Sequence, residues 1–290
     1  PSYASHKAGL LIKKSSKGIY WIADFRDPMI YESMDSFSFF PKLQKEILIN
    51  ADKSLAISKG VRERLKSYSP QAKIDVIYNG FDDSPALESM PSIDPSKLNV
   101  CYVGSLYGGK RDLSKVFEIL NSFLQEKRLE KNFLQFHYAG TDFYTLHKQA
   151  SRFGLENCLN NYGKISREKS LQIQFSCDFV SVATWNLNKE QGILTGKLFE
   201  AFMLKKPILG VVTGDTPDSE FKLIVKDCDA GIVIEDGFHL DDDNISIFSI
   251  LNNFLNAKKS LISSKPDSIF TFKVDSFHYR NICKDLLSKI

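Results

Sequence analysis

The stretch TGKLFEAFMLKKPIL, residues 195–209, puts Lys197 and Glu200 three positions apart at the start of an otherwise apolar helical pattern. Side chains at i and i+3 share one helix face. A carboxylate near a helix N-terminus is favoured by the helix dipole. It can also accept two hydrogen bonds at once, which suits the vicinal hydroxyls of a ribose, and Lys197 would stand where a diphosphate passes. The plainer alternative is an i,i+3 ion pair with a capping role, worth about a few tenths of a kcal/mol. A second stretch, YVGSLYGGKRD (102–112), runs from a strand into Gly104 and Ser105, then Gly108, Gly109, Lys110 and Arg111. A glycine-rich turn ahead of a helix directs backbone N–H groups at a phosphate, and Lys110 and Arg111 would add full charges. Neither G-x-G-x-x-G nor the Walker A pattern is present, so dehydrogenase and NTPase motifs fail here. An ordinary strand-to-helix turn with exposed basic residues stays open.

A third stretch, WIADFRDPM (21–29), delivers Arg26 and Asp27 to a strand end, with Pro28 stopping it. Arg26 suits an anion; Asp27 suits orienting a hydroxyl or acting as a base. The alternative is an Arg–Asp pair that fixes a loop. YNGFD (78–82) reads as a tight turn, and HYAGTD (137–142) and GKIS (163–166) as strand-end loops, with His137 a core histidine.

These loops need elements to carry them. Strand-like runs recur at 19–25, 54–58, 73–80, 98–104, 134–140, 158–163, 178–184, 207–212 and 231–236, with helical patterns between most of them. Short apolar strands alternating with helices imply parallel sheets covered on both faces. The expected fold is therefore α/β, with two Rossmann-like, doubly wound parallel-sheet domains facing a cleft. Proline and acid-rich residues 81–97 have linker chemistry. The expected organisation is a first domain at 1–85, a linker at 86–97, a second domain at 98–273 and a terminal helix at 274–290. The chain opens at Pro1 on a helix that feeds a strand, so the first domain is expected to be incomplete.

A net charge of +3 over 290 residues is mildly basic. It falls short of a nucleic-acid footprint and suits anionic small molecules. The five cysteines contain no CxxC pair and the five histidines have no metal-ligand spacing, which reads as free thiols in a reducing, cytoplasmic compartment without a bound metal. No apolar run is long enough to span a bilayer, and no signal peptide is visible. The basic amphipathic stretch HKAGLLIKKSSKG (6–18) could rest on an anionic inner membrane face; a surface helix with a solvated basic side is the alternative.

IADFRDP, AISKGVRERL, VIYNGFD, YVGSLYGGKRD, FHYAG, YGKISREKSL, CDFVSVAT, TGKLFEAFMLKKPIL and GIVIED follow one another in chain order within residues 1 to 236. This series resembles the retaining GT-B glycosyltransferases, especially glycosyltransferase family 4 and its capsule and lipopolysaccharide relatives. The resemblance implies a UDP- or GDP-linked sugar as donor, no cofactor, no metal, and a lipid-linked or polysaccharide acceptor. It implies Glu200 on the donor ribose, with Lys110, Arg111 and Lys197 at the diphosphate beside the Gly104–Ser105 turn. Arg26 and Asp27 would form the acceptor-side loop and are the candidate catalytic residues. The chain departs from the family at Gly192, where an E-x7-E pattern would place a first glutamate, although Glu190 lies close. Ser105 stands where the family has an arginine. The departures keep a non-catalytic nucleotide-binding scaffold in view; a sugar-nucleotide epimerase would need an acid/base cluster that the strand ends do not supply.

Overall fold

Each residue of β4 (Leu98–Val103) is buried, and its side chains alternate between two cores. Leu98, Val100 and Tyr102 enter one, Cys101 and Val103 the other. Only a sheet covered by helices on both faces gives a strand that environment. The computed structural model describes residues 3–16, 18–27, 39–238, 240–259 and 269–289. Along the chain run α1 (Tyr3–Ser15), β1 (Ile22–Phe25), α2 (Phe39–Asn50), β2 (Lys53–Ala56), α3 (Lys59–Tyr68) and β3 (Ile74–Val76). After β4 come α4 (Ser114–Glu126), β5 (Leu134–Ala139), α5 (Phe143–Ser151), β6 (Leu159–Asn161), α6 (Arg167–Ser176) and β7 (Phe179–Asn186). Then follow α7 (Gly196–Leu204), β8 (Ile208–Gly214), α8 (Glu220–Asp227), β9 (Gly231–Glu235), α9 (Leu240–Lys259) and α10 (Tyr279–Lys289).

The strands form two parallel sheets, one in the order β1-β2-β3 and one in the order β6-β5-β4-β7-β8-β9. All nine runs picked out in the sequence are strands. The structure is the expected α/β, doubly wound architecture. Helices start where the sequence supplies a hydroxyl: Ser58 caps α3, Ser166 α6, Thr195 α7 and Ser219 α8, each accepting an N–H of the first turn. Residues 82–97 hold no helix or strand. Ile93 of that connection is nevertheless buried in the second sheet's core, and the Met90 N–H donates to Ser176 Oγ at 2.8 Å. The expected helix over 274–290 begins only at Tyr279, after a 3-10 turn at Asp275–Phe277.

Several contacts tie the sheets together. Backbone hydrogen bonds join Phe81 to Phe277 (3.0 Å) and to Tyr279 (2.8 Å) as the chain end returns to the first sheet, and Lys53 of β2 donates to the Lys289 carbonyl. Gly60 and Gly192 meet so closely that a Cβ on Gly192 would lie 2.4 Å from Ser58 Oγ. Glu220, first residue of α8, accepts from the Lys59 N–H (2.8 Å), the Gly60 N–H (3.1 Å) and the Tyr78 hydroxyl (2.8 Å). Its carboxylate therefore caps α3 from the other sheet, where the helix dipole favours negative charge. Burial, and then the bond to Glu220, push the Tyr78 hydroxyl pKa well above its ordinary value.

In the second sheet, His137 is a satisfied core residue, as expected. Its Nε2 meets Asn99 Oδ1 and its Nδ1 the Tyr162 hydroxyl, both at 3.0 Å. The Asn99 amide nitrogen already donates to two carbonyls. His137 therefore donates through Nε2, and in the neutral ring its Nδ1 accepts from the Tyr162 hydroxyl. Burial lowers its pKa from 6.5 to about 4.

Two outcomes follow from these contacts. A lowered histidine pKa supplies stability above pH 6.5 that is lost as pH falls towards 4, on the order of 3 kcal/mol. The stability gap between the wild type and His137→Gln, read by urea unfolding at each pH, should narrow over that interval; a pH-independent gap would contradict the assignment. Glu220→Ala should cost about 2 kcal/mol and raise the radius of gyration in solution scattering, with Glu220→Gln between the two. An unchanged radius in Glu220→Ala would show that the carboxylate does not hold the sheets together.

Candidate functional site

Numbered within itself, the larger sheet has the strand order 3-2-1-4-5-6. The order reverses between β4 and β7, and in such sheets a crevice opens beyond the carboxyl ends of those two strands. The carboxyl ends of β1, β2 and β3 border the same space. The result is a cleft of 720 Å³ that brings together Arg26, Asp27, Lys110, Arg111, Lys197 and Glu200, with Tyr107, Trp185, Glu190 and Thr195. Six of the eight residues singled out in the sequence thus share one wall-to-wall space, and Gly104 and Ser105 stand behind it.

Helix α7 enters the cleft by its N-terminus. Thr195 Oγ1 accepts the Lys197 N–H at 3.1 Å. One turn on, Lys197 Nζ sits 2.8 Å from Glu200 Oε2, which also accepts from Gln174 Nε2 at 3.2 Å. Lys197 and Glu200 thus form an i,i+3 ion pair, and both line an open cleft. A partly exposed pair of this kind adds little stability. Its worth lies in what it presents.

In the loop after β4 most backbone amides already have partners. The N–H groups of Gly104, Leu106, Tyr107, Gly109, Lys110 and Arg111 are all bonded within the protein. Ser105 Oγ donates to Asp142 at 2.7 Å, so its hydroxyl organises the loop and does not face the cleft. That bond and the Leu106 N–H hold the Asp142 carboxyl below the usual carboxylate range. The loop also presents charge through its side chains. The Arg111 guanidinium lies 4.3 Å from the Tyr107 ring centroid and 5.9 Å from that of Trp185, and Lys110 Nζ lies 5.3 Å from Trp185. Cations stacked on rings keep their charge and give up little hydration. Gly104, at φ +133°, leaves room beside the Lys197 stem, where a Cβ would lie 3.8 Å from Lys197 Cε.

Arg26 is braced. It donates to Asp24 (2.8 Å), to the Ile77 carbonyl (3.0 Å) and to Asn79 Oδ1 (3.2 Å), locking the end of β1 to the end of β3. The Arg–Asp pair that fixes this loop uses Asp24, not Asp27. Asp27 is exposed at the cleft rim; Pro28 lies outside the described residues.

Trp185, Tyr107 and Gln174 were not singled out in the sequence. The strand read over 178–184 continues through Trp185 and Asn186, because β8 pairs with it as far as Gly214. Trp185 therefore stands on a rigid strand, and its Nε1 donates to Glu190 Oε2 at 2.9 Å. Glu190 is almost fully buried, and Lys110 Nζ approaches the same oxygen at 3.9 Å. Gly192, at φ +71°, has no space for a side chain against Gly60. The carboxylate that reaches this part of the cleft is Glu190. Outside the cleft, Asp82, Asp83 and His278 are the one group with metal-ligand proximity among the described residues, and both aspartates are exposed.

A scan of protein-family models matches none, and no curated protein matches at the sequence level. Solved structures do match in fold. Sucrose-phosphate synthase from Thermosynechococcus elongatus aligns at TM-score 0.63 and 14% identity, covering 99% of this chain and 71% of that one. HepE from Anabaena, solved with UDP and glucose, aligns at TM-score 0.65 and 16% identity, covering 99% and 75%. WaaG, a glycosyltransferase involved in lipopolysaccharide biosynthesis, aligns at TM-score 0.59 and 13% identity, covering 97% and 80%. Over these lengths the chain is similar to GT-B glycosyltransferases, and its fold is of the GT-B type.

Proposed function

We propose that this protein is a glycosyltransferase that moves a sugar from a nucleoside diphosphate sugar to a glycan or lipid-linked acceptor with retention of anomeric configuration. The observation that carries the proposal is the convergence of Lys197 and Glu200 at the α7 N-terminus with Lys110 and Arg111 across the same cleft. A carboxylate next to three cations suits a ligand with vicinal hydroxyls at one end and a diphosphate at the other. In this reading Glu200 accepts from the ribose hydroxyls. Lys110, Arg111, Lys197 and the helix end neutralise charge that grows on the diphosphate as the anomeric C–O bond breaks. The acceptor oxygen bonds to the anomeric carbon, the electron pair of the broken bond leaves with the diphosphate, and Asp27 takes the acceptor proton. Arg26 braces the loop that presents Asp27, and Glu190 faces the transferred sugar.

HepE was solved with UDP and glucose, and a pneumococcal O-GlcNAc transferase of similar fold with UDP and GlcNAc; both favour a uridine donor here, with GDP as the alternative. Retention and a lipid-linked or polysaccharide acceptor come from the family resemblance. No helix among the described residues is long and apolar enough to cross a membrane. Lys13 pairs with Asp52 at 2.5 Å and Lys14 with Glu46, so a peripheral membrane contact through α1 would rest on exposed Leu11 and Ile12 more than on free lysine charge.

A thermal-shift panel of UDP, GDP, ADP, CMP and dTDP tests the donor site. At 100 times its dissociation constant, a ligand specific for the folded state adds about 2.7 kcal/mol. One diphosphate should raise the midpoint, and Glu200→Ala should abolish the rise. No rise with any of the five would overturn the transferase reading in favour of a non-catalytic scaffold.

A further inference from the structure

The amide of Gln174 is an expensive feature with no role yet assigned. It sits on α6 with no exposed surface, and its Nε2 donates to Glu200 Oε2 at 3.2 Å and to the Ser170 carbonyl and hydroxyl at 3.3 Å. Its Oε1 is buried and has no hydrogen-bond partner. An unpaired buried acceptor destabilises a fold. Turning the amide over would not help, because the carbonyl would then face a carboxylate that only accepts. A methionine would fill the same space with no orphaned atom. Glu200 therefore sets the orientation of this amide.

Two donors converge on Glu200 Oε2, and they differ in freedom. Lys197 reaches it at 2.8 Å on a flexible stem whose side chain is 29% exposed to the cleft, so it can turn to an arriving phosphate. Gln174 is enclosed and cannot leave. Oε1 of Glu200 has no partner among the described residues. We infer that Gln174 is a positioning residue, which holds Glu200 through Oε2 and keeps its carboxylate set for a pair of ribose hydroxyls when Lys197 moves to the diphosphate. A carboxylate already fixed loses no side-chain freedom on binding, so affinity rises. This inference rests on the donor-site reading above.

Calorimetric titration with UDP and GDP, and with their 2′,3′-dideoxy counterparts, tests it on the wild type, Gln174→Met, Glu200→Ala and the double variant. Gln174→Met should keep or raise the thermal midpoint, since it removes an orphaned acceptor. It should weaken binding of the ribonucleotide about tenfold, leave the dideoxynucleotide unaffected, and add nothing in the Glu200→Ala background. Equal ribonucleotide affinity in the wild type and Gln174→Met, or an equal loss with the dideoxynucleotide, overturns the inference. Gln174→Glu is the second variant. Its weakened binding should recover as pH falls and the two carboxyls come to share a proton; a profile parallel to the wild type counts against the inference. A wild type that binds neither UDP nor GDP overturns the donor-site reading together with this one, whereas a wild type that binds beside an unaffected Gln174→Met overturns this one alone.

Discussion

The carboxylate of Glu220 on the first amides of α3 is the contact on which the cleft depends. It belongs to the second sheet and completes a helix of the first. Four N–H groups at every helix start lack a partner within the helix, and here two of them are served across the domain boundary. The glycines at 60 and 192 let the backbones close around that contact. Together they bring the carboxyl ends of β1 to β3 opposite those of β4 and β7. The same packing explains why residue 192 is a glycine and not the glutamate that the sequence resemblance would place there. A residue there would need both a left-handed backbone and space already filled by Ser58 and Gly60. Domain packing fixes that position, and the nearby carboxylate comes from Glu190, held by Trp185.

The cleft is a balance of paired charges. Each cation in it has a local partner: Lys197 has Glu200, Lys110 has the Trp185 ring, Arg111 has Tyr107, and Arg26 has Asp24. Partly exposed pairs of this kind are weakly held, so under the proposed function a diphosphate touching several cations at once would displace these partners at small cost. Arg26 is the exception, because its bonds to the Ile77 carbonyl and Asn79 make it a structural tie between β1 and β3. The site thus divides into groups that can exchange partners and groups that hold the frame.

Much of this was legible in the sequence. Strand and helix periods located the nine strands among the described residues, and six of the eight candidate residues read from the strand-end loops meet in the cleft. Local pattern carries that information, since a buried parallel strand is an apolar run and its carboxyl end is where the run stops. What escaped the sequence depended on partners distant in the chain. The extent of β7 to Asn186 is set by its pairing with β8. The role of Ser105 is set by Asp142, and the bonding of the loop amides by the fold around them. Gln174 looks like any polar residue on a helix until Glu200 is placed beside it. The pairing of Arg26 with Asp24 rather than Asp27 likewise depends on β3 lying alongside.

A crystal structure with UDP bound, or with GDP if GDP is the diphosphate that stabilises the fold, tests the central claim most directly. The account predicts ribose hydroxyls on Glu200 and a diphosphate between Lys110, Arg111 and Lys197, with Lys197 Nζ moved off Glu200 Oε2. Nucleotide bound instead in the separate 560 Å³ cavity beside Lys59, Glu220 and Lys273, with the Lys197–Glu200 pair undisturbed, would contradict it.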